Sequence, residues 1–250
     1  MALLMASFMA NPYETERLLA EYLLFHYGGA EEILGGRNIE AFAPALGFPA
    51  RTVAHFAPGE TTRGLDLGCA VGRSTFEMAR HCREVTGIDF SRAFIQAAES
   101  LRRGEKIPYR RLEEGHVSTE LIARAPADLD PARVRFETGD AMALRDDLGS
   151  FDRVHAANLL CRLPEPQRLL NRLPALVRPG GELVLATPCT WLAEFTPPEN
   201  WPPASTFDWL KKELGPHFDF VDQADEPFLI RETARKFQLT FSLVTVWRRK

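Results

Sequence analysis

The 250-residue sequence contains no apolar run long enough to cross a bilayer as a helix, which takes about 18 residues. The N-terminal MALLMASFMA is apolar but lacks the basic region that opens a secretory leader, so no signal peptide and no membrane partner are expected. Cysteine is sparse: Cys69, Cys82, Cys161 and Cys189 form no CxxC pair, so neither a zinc site nor a disulfide framework is indicated, and no metal is expected. Reduced thiols of a cytoplasmic protein are the simple reading. A basic excess is also missing. Lys and Arg number 30 against 34 Asp and Glu, a formal charge of −4, which argues against a nucleic-acid partner. The basic clusters Arg102, Arg103 and Lys106, and Arg248 to Lys250, read as solvated faces. What is present is ordinary for a globular chain, 45% hydrophobic and 26% charged. The length suits one large α/β domain that buries about 70–75% of its unfolded surface and needs no cross-links.

The pattern divides the chain into an N-terminal helical lid, residues 1–60, and a larger unit, residues 61–250, that form one structure together. A helix is expected from about Pro12 to Tyr27, with Asn11 as N-cap, Pro12 in the first position and Glu14 as a capping-box acid. Leu18, Leu19, Tyr22, Leu23 and His26 recur at helical spacing, and Gly28-Gly29 stops the run. From Arg63 strands and helices alternate. GLDLG, EVTGID, VRFETGD and FDRVHAAN read as strands ending at Gly68, Asp89, Asp140 and Asn158. Helices are expected at Ser74–His81, at 92–103 behind the N-cap Ser91, and at Pro164–Val177. RPGG then turns into a fifth strand, ELVLATP. Residues 105–132 read as an insertion with a strand near Tyr109 and a short helix from Ser118. The tail suggests a helix at Phe207–Leu214 and strands at Pro227–Arg231 and Gln238–Trp247. This order predicts an α/β fold: a doubly wound, mostly parallel, seven-stranded Rossmann-like sheet with an antiparallel C-terminal hairpin.

In such a sheet ligands bind beyond the carboxyl ends of the strands, where strand order reverses. Four strand ends carry polar groups: Asp66-Leu67-Gly68-Cys69-Ala70-Val71-Gly72, Asp89, Asp140 and Asn158. The small residues Gly68, Ala70 and Gly72 let a ligand approach backbone. Asp89, 21 positions after Gly68, is spaced to accept from ribose hydroxyls. A dinucleotide would require G-x-G-x-x-G, whereas Ala70 and Arg73 stand at the second and third glycine slots. D-x-G-x-A-x-G, the acid ending strand two, Gly139-Asp140-Ala141 and RPGG together resemble class I S-adenosylmethionine-dependent methyltransferases over about residues 60–188. The resemblance implies S-adenosyl-L-methionine as cofactor. The cofactor-binding set is then Asp66, Gly68, Cys69, Ala70, Gly72, Arg73, Asp89, Phe90, Asp140, Ala141 and Asn158. The loop would meet the methionine part, Asp89 the ribose, and Asp140 with the Ala141 amide the adenine.

The flanks carry a narrower resemblance. NPYETERLLAEYLLFHYG, LDLGCAVGRSTFEMAR, VTGIDFSRAFI, AANLLCRL and PFLIRETARKFQLTFSLVTVW are similar to the 4-mercaptohistidine (5-thiohistidine) N1-methyltransferase family, often the C-terminal domain of the ovothiol-biosynthesis enzyme. That implies methylation of an imidazole nitrogen of 5-thiohistidine, with the upstream synthase acting separately. Its catalytic candidates are His26, Tyr27 and Asn158. Its substrate-binding candidates are Tyr13, Tyr22, His26, Cys161, Cys189, Trp191, Arg231, Lys236 and Leu239, one basic residue being needed for the amino-acid carboxylate. For His26 packing within the apolar stripe is the competing reading, for Arg231 and Lys236 surface charge, and for Trp191 packing alone. The family pattern has Asp at Cys161, Tyr at Cys189, His at Leu239 and Glu at Leu243. If these line the pocket, a larger, more polarizable substrate such as the selenium analogue is expected, as in ovoselenol-type biosynthesis; compensated drift is the alternative. A methyltransferase for another small amine, thiol or carboxylate, and a non-catalytic cofactor-binding protein, are the other readings.

Overall fold

The computed structural model describes residues 12–37 and 39–250, so the expected cap Asn11 lies outside the described residues. The first helix starts later than its apolar stripe suggests. Pro12–Glu14 is a single 3-10 turn, and Thr15 caps α1 (Glu16–Tyr27) by accepting from the Leu18 amide at 3.3 Å. Glu14 is therefore no capping-box acid. Its carboxylate accepts instead from the amides of Arg92 (2.8 Å) and Ala93 (3.3 Å), far along the chain. Two short helices, α2 (Ala30–Leu34) and α3 (Phe48–Val53), complete the N-terminal part.

The alternating region follows its pattern closely, with β1 (Thr61–Leu67), α4 (Arg73–Met78), β2 (Cys82–Asp89) and α5 (Arg92–Arg102). Ser91 caps α5 as expected, accepting from the Phe94 amide at 3.1 Å. The insertion differs from expectation at its second half. It is a hairpin of β3 (Ile107–Glu114) and β4 (Val117–Ala123) turning at Gly115, with no helix from Ser118. β-Branched Val117, Thr119 and Ile122 favour extended backbone, and Thr119 bonds Glu113 across the pair at 2.7 Å. Then come β5 (Val134–Thr138), β6 (Phe151–Ala157), α6 (Pro166–Leu176), β7 (Val177–Thr187), α7 (Thr206–Leu214), β8 (Phe218–Arg231) and β9 (Phe237–Arg249). β8 is longer than its apolar segment because ladder bonds to β9 carry it through the polar stretch Asp219–Glu226 at the sheet edge.

The main sheet has seven strands in the order β5-β2-β1-β6-β7-β9-β8, with β9 antiparallel to its neighbours. Strand order reverses between β1 and β6, as a doubly wound sheet requires. Leu65 and Leu67 point to one face, against Leu169 and Leu173 of α6 and Leu210 and Leu214 of α7. The other face packs Phe76, Phe94 and Leu101 together with Leu23, Leu24 and Phe48 of the N-terminal helices and Phe228 of β8. Arg51 and His55 bind Glu226, both at 2.8 Å, and tie α3 and the turn after it to β8. Among the described residues no helix is long and apolar enough to cross a membrane.

Candidate functional site

Alternation along β1 turns Asp66 away from the leucine-filled face, where it stands beside His155 of β6. Its carboxylate accepts from Ser74 Oγ (2.7 Å) and Thr75 Oγ1 (2.6 Å) and pairs with His155 Nδ1 (2.8 Å). The second ring nitrogen of His155 lies 3.1 Å from Thr52 of α3. One buried chain of bonds thus joins β1, the start of α4, β6 and α3. The loop needs its glycines. Gly68 has φ +70° and Gly72 φ +92°, and a Cβ on Gly72 would come within 2.6 Å of the Phe136 ring.

The loop is pinned to the end of β2. The Asp89 carboxylate accepts from the Ala70 amide at 2.9 Å and the Ser91 amide at 2.8 Å. Burial nevertheless dominates and pushes the Asp89 carboxyl up to about 6. Asp140 accepts from the Met142 amide at 2.8 Å, which shapes the turn after β5. Above these strand ends lies a cavity of about 620 Å³. Gly68, Ala70, Asp89, Phe90, Asp140 and Ala141 form one side of it. Phe90 is 62% exposed, an apolar ring left open to a planar partner.

The other side is aromatic and comes from the turn before α1 and from α1, α3, α5 and β8: Tyr13, Tyr22, Phe25, His26, Phe48, Phe94 and Phe228. Tyr22 and Phe94 have ring centroids 4.7 Å apart, and Phe48 and Phe228 4.9 Å. The Tyr13 carbonyl accepts from Ser91 Oγ at 2.9 Å, and Glu14 bonds to the start of α5, so residues 13–14 form a strap that ties the start of α1 to α5 beside the cavity. Burial lowers the His26 imidazole to about 3, and its Nδ1 has no partner among the described residues. It is a neutral ring at physiological pH. At the end of β6, Asn158 is held at φ +54° and accepts from Ser242 Oγ at 2.6 Å. Beyond it the rim carries Arg162, Glu194 and Phe195.

Of the residues singled out from the sequence, the cavity gathers Tyr13, Tyr22, His26, Gly68, Ala70, Asp89, Phe90, Asp140, Ala141 and Asn158. Asp66, Cys69, Gly72 and Tyr27 are not in the lining: Cys69 and Gly72 are in the loop itself, and Asp66 and Tyr27 support it. The Tyr27 hydroxyl donates to the Val71 carbonyl at 2.7 Å, so it buttresses the loop and does not face the cavity. Arg73 turns aside to Glu77 at 2.8 Å. Six substrate candidates fall outside the cavity lining, each for a visible reason. Cys161 is fully buried beneath it, and Cys189 bonds the Thr187 carbonyl (Sγ to O 3.6 Å) on an exposed turn. Trp191 donates to Thr206 at 3.0 Å and packs on Trp209. Arg231 is buried between the Ile33 carbonyl (2.9 Å) and Glu113 (2.5 Å), beside a separate hollow between α1 and β3. Lys236 pairs with Glu232 at 2.7 Å in the hairpin turn, and Leu239 is 46% exposed on its outer face. Leu243, half-buried on the same strand, is not part of the lining either. The altered positions do not form a pocket wall.

Sequence reasoning missed Phe25, Phe48, Phe228, His155, Arg162, Glu194 and Ser242. The alternation Val154, His155, Ala156, with a lone polar residue on the face shared with Asp66, was the available signal for His155. The others sit on helices whose apolar residues read as core, in loops, or on distant strands, where no local period marks a cavity wall.

Residues 65–183 match the family described as a methyltransferase domain. Among curated proteins, the chain is 27% identical over 123 residues to a "Ubiquinone biosynthesis O-methyltransferase" of Coxiella burnetii, covering 49% of this chain and 42% of that protein. It is 28% identical over 131 residues to "O-methyltransferase cnsE" of Penicillium expansum, covering 52% of this chain and 39% of that protein. The chain thus spans less than half the length of these relatives. Among solved structures it is similar to N-methyltransferase NodS from Bradyrhizobium japonicum WM9 in complex with S-adenosyl-L-homocysteine. That likeness has a TM-score of 0.54 at 16% identity and covers 92% of this chain and 98% of the other.

Proposed function

We propose, from the premise that residues 65–183 form a class I S-adenosylmethionine-dependent methyltransferase domain, that the chain methylates an imidazole nitrogen of 5-thiohistidine or its selenium analogue. The observation that carries the reading is the single cavity in which the Gly68–Ala70 loop, Asp89 and Phe90 face an aromatic wall across Asn158. The cofactor fits this side of the cavity chemically. Asp89 offers a carboxylate for ribose hydroxyls, the Phe90 ring a face for adenine, and the loop a backbone free of large side chains. When bound, S-adenosylmethionine supplies a methyl group on a sulfonium, ready for in-line displacement.

The chain's own contribution is placement and dryness. Well-oriented reactants can gain up to about 7–11 kcal/mol relative to free collision. The rings of Tyr13, Tyr22, Phe25 and Phe228 suit a flat heteroaromatic acceptor and keep water from it. A ring nitrogen with a free lone pair attacks without prior deprotonation, and the second nitrogen releases its proton afterwards. His26, neutral and with an unpaired Nδ1, is a hydrogen-bond partner for that ring and not a reservoir of positive charge. The Asn158 amide, its oxygen taken by Ser242, presents its N–H₂ to the acceptor. Sulfur, the softer nucleophile, must be kept off the methyl group, which a tight aromatic slot does by fixing the ring's rotation.

The names of the curated relatives favour a second reading, transfer to a phenolic oxygen. Incubation with labelled cofactor and a panel of 5-thiohistidine, selenohistidine and a catechol separates the two. Label on the imidazole compounds is expected; label on the catechol alone would support the second reading and refute the first.

A further inference from the structure

We propose that Arg162 anchors the carboxylate of an α-amino-acid acceptor, which makes it the residue that selects amino acids over the corresponding amines. The inference rests on the methyl-transfer reading above and specifies its substrate class. An amino-acid acceptor brings a carboxylate that must be matched by a cation at the cavity. Arg231 and Lys236 are both committed elsewhere, to Glu113 and Glu232. Among the described residues lining the cavity, Arg162 is the one Lys or Arg. It has no Asp or Glu oxygen within 4.0 Å among the described residues, whereas Arg73, Arg145 and Arg231 are each paired with a carboxylate.

Its placement is defined. Nη1 donates to the carbonyls of Cys161 and Thr190, both at 3.3 Å. The guanidinium lies 4.6 Å over the Phe195 ring, and its charge acts on the Tyr13 phenol of the strap. One edge of the planar fork is thus fixed to the protein while the group borders the cavity four positions after Asn158. A half-buried guanidinium held by carbonyls and aromatic rings lacks the counter-charge that such sites normally carry. A carboxylate supplies it and matches the fork bidentately. Asp89 and Asp140, the acids on the opposite side, already accept backbone amides. Glu194, on the same rim as Arg162, is left for the ammonium of the zwitterion.

The test is titration calorimetry on the full chain loaded with S-adenosylhomocysteine. The probes are 5-thiohistidine and histidine, each beside its decarboxylated amine. In the unaltered protein the amino acids should bind about thirtyfold or more tightly than the amines. In Arg162→Gln that discrimination should collapse to within about threefold, with Arg162→Lys intermediate and S-adenosylhomocysteine affinity unchanged. Equal binding of acids and amines by the unaltered protein, or discrimination preserved in Arg162→Gln, would overturn the assignment while sparing the methyltransferase reading. A loss of S-adenosylhomocysteine affinity would overturn it too, placing Arg162 on the cofactor's own carboxylate. Binding of none of the four probes would refute the substrate class itself. If Arg162→Gln fails to fold, the ratio in the unaltered protein and in Arg162→Lys decides.

Discussion

At the residue scale, the sharpest consequence concerns the pH at which the site works. Asp89 has a carboxyl raised to about 6 by burial, above its value in an unfolded chain. Its contribution to the stability of the ligand-free protein is therefore fully present below its unfolded value and is lost as pH rises through about 6. Cofactor binding has the opposite sign, because ribose hydroxyls donate to the ionised form. S-adenosylhomocysteine affinity should fall about fourfold between about pH 7.5 and 5.5, and calorimetry of Asp89→Asn should show no such dependence. Asp89→Ala should cost about 1–3 kcal/mol of cofactor binding with the fold intact. His26, lowered to about 3, adds no ionisation in that window, so the acid limb of kcat/KM should survive His26→Phe. Arg231 gives the contrary case. Removing it strips the Ile33 carbonyl of its donor and Glu113 of one of two guanidinium partners, Arg111 remaining at 2.6 Å, so Arg231→Ala should cost about 1.5–3 kcal/mol in denaturant unfolding and leave cofactor affinity unchanged. A cofactor-specific loss would place Arg231 at the site after all.

At the scale of elements, the strap before α1 decides how the cofactor enters and leaves. Tyr13 and Glu14 hold it to Ser91, Arg92 and Ala93 at the start of α5, directly after Asp89. Glu14→Ala removes a bond of helix-cap strength, about 1 kcal/mol, and should speed S-adenosylhomocysteine release about fivefold in stopped-flow measurements. An unchanged release rate would mean that the strap is not the gate. The same elements explain what was legible in the sequence. β1, β2, β6 and α5 were readable because local signals coincide there: alternation, an N-cap Ser91 and strand-end acids. Glu14 was misread because its spacing from Asn11 suits a capping box, while its amide partners lie 78 and 79 positions away. The β3–β4 hairpin was half-read because the polar stretch from Ser118 has no strong period of its own and is fixed by its partner strand.

For the whole molecule, the seven-stranded order brings four loops to one end of the sheet, and that convergence was foreseeable from the polar strand ends alone. The aromatic wall was not. Phe48 and Phe228 meet only because α3 packs on β8, a contact between residues 180 positions apart that no local pattern encodes. The positions expected to mark a different substrate, Cys161, Cys189, Leu239 and Leu243, are not in the cavity lining: Cys161 is buried behind Arg162, and for Leu239 and Leu243 same-face reasoning along β9 says nothing of which face meets the ligand. The central claim is that this cavity directs a methyl group to a ring nitrogen in the presence of a softer chalcogen. It is tested most directly by incubating the full chain with isotope-labelled S-adenosylmethionine and 5-thiohistidine and locating the labelled methyl by two-dimensional NMR. Coupling of the methyl to the imidazole ring carbons flanking a nitrogen is the predicted result. A methyl carried on sulfur, or no transfer to this acceptor while a phenol is methylated, would contradict the account.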